Sequence, residues 1–210
     1  MKLTRRSTLT GALGALGLAA FPLSALSQED GIVEMVMGAE DAPVELIEYA
    51  SFTCPHCATF HKDTFKQLKA DFIDTGKVRF VYREVYFDRY GLWASLVARC
   101  GGPERFFGIT DLLYQEQAAW SRAGAGLAAE EAPLAIATEL RKVGKVAGLS
   151  DAELDACFSD ADGAQALVAW YQENATRDNI RATPSFMLNG KPIANQNYAD
   201  FKALIEAELE

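Results

Sequence analysis

The stretch EYASFTCPHCATFH, residues 48–61, places two cysteines where one kind of secondary structure changes into another. The residues that lead into it, 44–49, are rich in apolar and β-branched side chains and predict a buried strand. From Pro55 onward, apolar residues recur at helical spacing, and proline fits the first helical turn because its missing N–H needs no partner there. The chain is therefore constrained to form a strand, a tight link and a helix, with Cys54 and Cys57 at the junction.

The rest of the chain predicts further α and β elements. A second strand at 78–87 completes a βαβ unit whose strands should run parallel. Helices are predicted around 92–100, 104–116, 133–146, 151–159 and 163–179. β signals return at 185–188 and 191–194, joined by a tight Asn189-Gly190 turn, and an amphipathic helix closes the sequence. The predicted order is βαβ, a long helical stretch, then ββα.

The position of Cys54 determines the chemistry that we expect. A sulfur at a helix start lies at the positive end of the helix dipole, beside unpaired amides, and both favour the thiolate. Cys54 is therefore expected to attack, with Cys57 as a more buried resolving thiol. His56 can donate a hydrogen bond to the thiolate, or support its charge when protonated. Because this anion exists only in the reduced dithiol, the same stabilisation makes the disulfide an oxidant.

The first 27 residues predict an export signal. Basic residues at positions 2, 5 and 6 precede the apolar run GALGALGLAAFPLSAL, and small residues suit cleavage after Ser27. The TRR start resembles a twin-arginine signal, with Sec export and an uncleaved membrane anchor as alternatives. Cleavage would change the formal net charge from −9 to −12 and leave residues 28–210 as one mature domain, whose charge suits a periplasmic protein.

The chain has four cysteines, and an exported chain meets an oxidising compartment in which an even number implies pairing. Cys54 and Cys57 are so close in sequence that a mutual bond is sterically natural, which leaves Cys100 with Cys157. We expect the latter bond to be structural and to stabilise the fold by about 4 kcal/mol in the chain-entropy model. Two free thiols and a second redox pair are the alternatives.

Two motifs together resemble a known family. The CPHC motif at 54–57 after IEYASFT, with Thr183-Pro184 before the late strand, closely resembles the bacterial DsbA-like disulfide oxidoreductases of the thioredoxin superfamily. The resemblance implies an α/β thioredoxin fold with an inserted all-α helical domain at about 91–179. It also implies a cis proline at Pro184, packed against the active-site disulfide, whereas the residues alone favour trans. The exposed backbone of Thr183 would then be free to pair with a substrate.

The resemblance further implies the activity and its partners. The expected activity is oxidation of dithiols in unfolded exported proteins, and a quinone-linked membrane oxidase of the DsbB type would reoxidise the cysteines. No cofactor is predicted, because no Gly-rich phosphate loop and no dinucleotide motif is evident. The family has an acidic residue at the position of Glu48, which is expected to assist proton transfer to Cys57. The alternative is that Glu48 is a strand-edge glutamate facing solvent.

A metal site is a different interpretation of the same motif. Cys54, Cys57 and His61 are spaced C-x2-C-x3-H and would give three ligands to copper or zinc. With two histidines in the chain, no candidate for a fourth ligand is evident, so no metal is predicted. His61 is interpreted as a surface or packing residue near the cysteines.

Other functional classes are weighed against the oxidase. A disulfide isomerase or a reductase of the same superfamily is the nearest alternative. Related isomerases use an extra N-terminal dimerisation domain, whereas about fifteen residues separate the predicted cut from the first predicted strand, which favours a monomeric oxidase. A chaperone or adhesion module would give no reason for the CPHC arrangement. A net charge of −9 without a cluster of Lys and Arg argues against a nucleic-acid partner.

Overall fold

A five-stranded mixed sheet forms the centre of the protein in the computed structural model, which describes residues 31–210. The strands are β1 Met35–Met37, β2 Val44–Ala50, β3 Val78–Glu84, β4 Ser185–Leu188 and β5 Lys191–Ile193, in the spatial order β1-β3-β2-β4-β5. The export signal predicted for residues 1–27 lies outside the described residues. Within 31–210, no helix is both long enough and apolar enough to span a membrane.

β2 occupies the middle of the sheet. It pairs parallel with β3, which confirms the predicted βαβ unit, and antiparallel with β4. The turn between β4 and β5 has positive φ at Asn189 (45°) and Gly190 (75°), the conformation for which this dipeptide was expected. Two differences from the prediction are at the sheet margins. The edge strand β1 was not predicted, and β3 ends at Glu84, before the predicted limit of 87.

The helix that follows Cys54 is not a continuous α-helix. It consists of α1 Pro55–Phe60, a π-helical turn His61–Phe65, α2 Lys66–Leu68 and a second π-helical turn Lys69–Ile73. Phe60 and Phe65 are both buried although they are five residues apart. A π-helical turn closes on the fifth residue, so it keeps both rings over the sheet where a regular α-helix would rotate one of them away.

Most of the helices lie between β3 and β4. They are α3 Arg89–Cys100, α4 Gly102–Gln115, α5 Gln117–Ser121, α6 Ala132–Val146, α7 Asp151–Ser159 and α8 Ala161–Arg177. The five predicted helices are confirmed to within three residues at each end, whereas the short α5 was not predicted. A last helix, α9 Tyr198–Glu208, follows the sheet. The α/β class with an inserted all-α region is therefore confirmed.

The sheet has an apolar core on each face. On one face, Leu46 and Ala50 of β2 pack with side chains of α1, α3, α4 and α6. On the other face, Ile47 and Tyr49 belong to a smaller cluster with residues of β3 and β4. Because successive residues of a strand point to opposite faces, Glu48 shares the face of Leu46 and Ala50. A carboxyl group therefore points into the larger core.

Candidate active site at the start of the first helix

Cys54 is the residue at which the chain enters α1. It occupies the N-cap position with extended backbone angles (φ −80°, ψ 119°), and its amide donates to the carbonyl oxygen of Ser51 at 3.0 Å. Pro55 takes the first helical position, and no side chain caps α1. The amides of the first turn are therefore available to the Cys54 sulfur. Cys54 is partly buried, and Cys57, one turn further on, is 0% exposed.

The two thiols have opposite pKa shifts. The pKa of Cys54 is lowered from 9.0 to about 5, mainly because Cys57 donates a hydrogen bond to it and also because the backbone amides of Cys57 and His56 do so, against the effect of burial. The pKa of Cys57 is raised well above 9.0 by burial, by its hydrogen bond to Cys54 and by the negative charge of Glu48. At neutral pH the reduced pair therefore holds a thiolate on Cys54 and a proton on Cys57.

The other residues predicted for the site surround Cys54. Pro55 and His56 are exposed at the start of α1. The backbone of His56 contributes to the low pKa of Cys54, whereas a role for its imidazole stays a prediction. The Thr183–Pro184 peptide bond is cis, and the carbonyl oxygen of Thr183 lies 3.3 Å from the Cys54 sulfur, where it accepts a hydrogen bond when Cys54 is protonated. The loop before β4 is thus in contact with the more exposed sulfur.

Glu48 and His61 form a buried pair beneath the cysteines. Glu48 is 0% exposed and His61 is 4% exposed, and the Nε2 atom of His61 lies 2.9 Å from Oε2 of Glu48. The imidazole ring stacks on Tyr114 with a centroid distance of 4.3 Å. The alternatives that placed Glu48 in solvent and His61 at the surface are therefore wrong. His61 follows Cys57 by four residues, and that helical spacing was the signal for its burial.

The ligand set suggested by the C-x2-C-x3-H spacing is divided in the structure. His61 is hydrogen-bonded to Glu48 inside the core, whereas Cys54 faces Thr183. Over residues 31–210, no group of three His, Cys, Asp or Glu side chains is arranged to hold a metal ion.

Two polar side chains from the helical region hold the loop before α1, and neither was predicted from the sequence. Gln117, the first residue of α5, is 8% exposed, and its Nε2 donates to the carbonyl oxygens of Phe52 at 2.7 Å and Cys54 at 2.9 Å. Asp88 caps the start of α3 and also accepts a hydrogen bond from the hydroxyl of Thr53 at 2.7 Å. An aspartate before a helix is a recognisable N-cap signal, but a single glutamine between two helices gives none.

Cys100 and Cys157 form a disulfide with an S–S distance of 2.03 Å. Cys100 is the last residue of α3, and Cys157 lies in α7. The bond joins positions 57 residues apart and connects two helices of the inserted region.

The sheet, the thiol pair at the start of α1 and the Thr183–Pro184 loop beside it define a thioredoxin-fold protein with a cysteine pair suited to exchange. A family model described as "Thioredoxin" matches residues 31–207, and this chain belongs to that family.

A named relative agrees with this class. A putative protein-disulfide oxidoreductase of Rickettsia bellii is 31% identical over 182 residues, which cover 84% of this chain and 65% of that relative. This chain therefore spans slightly less than two thirds of the relative's length.

Two solved structures extend the comparison. A protein-disulfide isomerase from Novosphingobium aromaticivorans is 28% identical, with a TM-score of 0.76 over 84% of this chain and 97% of that chain. The α-DsbA1 of Wolbachia pipientis has a TM-score of 0.73 over 83% of this chain and 89% of that one, and at 24% identity it shows the fold alone. The resemblance to DsbA-like proteins is thus confirmed.

Proposed function

We propose that this chain is a thiol:disulfide oxidoreductase that introduces disulfide bonds into exported proteins through its Cys54–Cys57 pair. The proposal rests on the difference in exposure and pKa between the two thiols: Cys54 is accessible with a pKa of about 5, and Cys57 is fully buried. A disulfide whose outer sulfur is a stable thiolate after reduction accepts electrons readily from ordinary thiols.

The exchange starts from the Cys54–Cys57 disulfide. A client thiolate attacks the sulfur of Cys54, a client–Cys54 disulfide forms, and the Cys54–Cys57 bond breaks with its electron pair on Cys57, which takes up a proton. A second client thiolate then attacks the client sulfur of this mixed disulfide, and Cys54 leaves as the thiolate that the amides of α1 stabilise. The client gains one disulfide, and the protein gains two electrons.

The loop at Thr183–Pro184 is proposed to bind the client. The carbonyl oxygen of Thr183 lies 3.3 Å from the Cys54 sulfur, so a client chain paired with this backbone would present its own thiol next to the disulfide. Backbone pairing of this kind gives affinity without demanding a particular client sequence. That property suits an enzyme with many unfolded substrates.

We also propose where and with what the protein works. Residues 1–27 would direct export to the periplasm, and the Cys100–Cys157 disulfide supports an oxidising compartment. Unfolded exported proteins with free thiols are the proposed substrates, and a quinone-linked membrane oxidase of the DsbB type would restore the disulfide. The protein would act as a monomer, and its net charge of −9 argues against nucleic acid as a partner.

Disulfide isomerisation is the second candidate, because the similar structure from N. aromaticivorans is named a protein-disulfide isomerase. Equilibration of the purified protein with glutathione buffers measures the potential of the Cys54–Cys57 pair. A value above the ~−200 mV of glutaredoxins supports the oxidase, and a value near the ~−270 mV of thioredoxin contradicts it. The rate of oxidation of a reduced client is then compared with the rate of rearrangement of a client with scrambled disulfides. Faster oxidation supports the oxidase, and faster rearrangement supports the isomerase.

Glu48 is proposed to exchange a proton with Cys57 during these steps. Glu48→Gln removes the charge that helps to raise the pKa of Cys57, so the rate of thiol exchange should change. Glu45→Gln, on the same strand but partly exposed, is the matched control and should leave the rate unchanged. Equal rates for the two variants and the wild type would remove Glu48 from the mechanism.

A further inference from the structure

The proposed mechanism leaves His61 without a role, although it is the one side-chain hydrogen-bond partner of Glu48 among residues 31–210. Nε2 of His61 and Oε2 of Glu48 are 2.9 Å apart, and both residues are buried. A hydrogen bond at this distance has one proton between the two atoms, whether the nitrogen or the oxygen formally carries it. The pair therefore holds a proton in the core, within reach of both partners.

A surface cleft reaches this pair. It has a volume of about 490 Å³, it lies between α1 and α4, and His61 is part of its lining. Lys62, Lys66 and Asp111 also line it and bring charged groups to its wall, whereas Glu48 itself has no exposed surface. The imidazole thus stands between solvent on one side and a buried carboxyl group on the other.

The remaining groups around Glu48 do not offer another proton carrier near neutral pH. Tyr82 of β3 lies beside Glu48 in the sheet, and its hydroxyl is 2.7 Å from that of Tyr114 on α4. Burial raises the pKa of both tyrosines well above 10.0, so both stay protonated. Cys57 of α1 is the other titratable group that interacts with Glu48, whose charge raises the pKa of the thiol. Oε1 of Glu48 has no hydrogen-bond partner in the described part of the chain.

We propose that His61 carries the proton of the exchange reaction between Glu48 and the water of the cleft, so that the buried sulfur of Cys57 communicates with solvent through this pair. The inference rests on the proposed function. When a client reduces the disulfide, Cys57 receives the electron pair and takes a proton from Glu48, Glu48 recovers one from His61, and His61 recovers one from water. Reoxidation moves the proton in the opposite direction. His61 acts through Glu48 and does not touch the reacting sulfurs.

The first test measures single-turnover reduction of the Cys54–Cys57 disulfide by a thiol peptide, with acid quench and mass spectrometry, from pH 5 to pH 9. His61→Gln keeps a hydrogen-bond donor but cannot titrate, so the rate at pH 7 should fall by roughly tenfold or more, and its pH profile should change. Because the two residues act as one unit, the double variant with Glu48→Gln should be no slower than Glu48→Gln alone.

Phe65→Leu is the matched control, because the ring of Phe65 lies 4.7 Å from the imidazole ring and has no ionisable proton. It should lower stability without altering the pH profile. Additive losses in the double variant, or a wild-type profile in His61→Gln, would overturn the inference while leaving an active oxidase. A wild-type protein that does not exchange would instead overturn the proposed function, and this inference with it.

A second test uses chemical rescue. His61→Ala removes the ring beside the cleft, and added imidazole should restore the rate at least severalfold. The rescue should be strongest near neutral pH, where free imidazole is present in both its protonated and its neutral form. Pyrazole has the same size but is a much weaker base, so it should fill the space without restoring the rate. Equal rescue by both compounds would mean that His61 only fills space, and would overturn the inference.

Discussion

Cys54 and Cys100 lie at opposite ends of their helices. Cys54 precedes the first turn of α1, where free amides and the positive end of the helix dipole favour a thiolate. Cys100 is the last residue of α3, where unpaired carbonyls and the negative end of the dipole disfavour one. The difference teaches that a second cysteine is not enough by itself: at Cys54 the hydrogen bond from Cys57 and the free amides of the helix start both favour the thiolate, whereas the end of α3 offers Cys100 no such amides.

The two pairs also differ in the length of chain that each bond closes. A bond between Cys54 and Cys57 closes a very short loop, so it restricts the unfolded chain little and its breakage costs the fold little. The Cys100–Cys157 bond closes a loop of 57 residues. One pair can therefore be opened and closed during function, whereas the other is suited to hold the inserted helices together.

The largest expected effect tests which pair carries out exchange. Cys54→Ser removes the sulfur that exchanges with the client, so oxidation of a dithiol peptide should slow at least about a thousandfold. The loss of free thiols measures the rate. The matched control is Cys100→Ala with Cys157→Ala, which should retain the wild-type rate. A control as slow as Cys54→Ser would break the distinction between the pairs.

The second effect concerns stability. Removal of the Cys100–Cys157 bond by the double alanine substitution should lower the free energy of unfolding by about 4 kcal/mol, because the unfolded chain regains the entropy of the long loop. Urea denaturation of both proteins in their oxidised forms measures this. Cys54→Ser with Cys57→Ser should change stability much less, and equal losses for the two double variants would contradict the loop-length argument.

A pH series sharpens the comparison at Cys54. Its pKa in the folded reduced protein is about 5, against an ordinary value of 9.0. Because the folded-state pKa is depressed, the thiolate stabilises the reduced fold fully above pH 9, and this contribution is lost as the pH falls through 5.

The stability of the reduced protein relative to the oxidised one should therefore rise between pH 5 and pH 9. Denaturation of both redox forms of the Cys100→Ala, Cys157→Ala protein measures the difference without interference from the second pair. Alkylation of Cys54 should have its midpoint near pH 5. A difference that does not vary with pH would contradict the assignment.

The smallest effect tests the support of the active-site loop. Gln117→Leu leaves two carbonyl oxygens without their buried donor and should cost about 2 kcal/mol of stability. Gln115→Leu, an exposed glutamine two residues earlier, is the control and should stay within about 0.5 kcal/mol of the wild type. Equal stability of the two variants would show that the loop does not depend on Gln117.

Much of the framework could be predicted because its signals are local. β2 and β4 are rich in apolar residues, the Asn189-Gly190 turn has its own dipeptide signal, and the long helices have periodic apolar faces. β1 has three residues, which is too few for any alternation to be visible. The π-helical turns after Phe60 were not predicted either, because the single five-residue step from Phe60 to Phe65 lies among three- and four-residue steps that indicate an ordinary helix.

The positions of the two cysteines in the candidate site could be predicted from the sequence, whereas most of the side chains that contact and support them could not. The CPHC motif combines a strand, a helix start and two thiols within one short segment, so its geometry follows from local sequence. Gln117 reaches the carbonyl oxygen of Cys54 from 63 residues away in the chain. Glu48 and His61 are 13 residues apart, and their contact depends on which face of the sheet the helix after Cys54 covers. No pattern within a single segment indicates that a glutamine between two helices will meet the carbonyl oxygen of Cys54.

The two hydrogen bonds of Gln117 have a consequence for any attempt to miniaturise this protein. A version cut back to the sheet and its flanking helices would retain every letter of the CPHC motif, yet it would lose the amide that holds the carbonyl oxygens of Phe52 and Cys54. Such a version would need a substitute donor at that point before its redox properties could be compared with those of the parent.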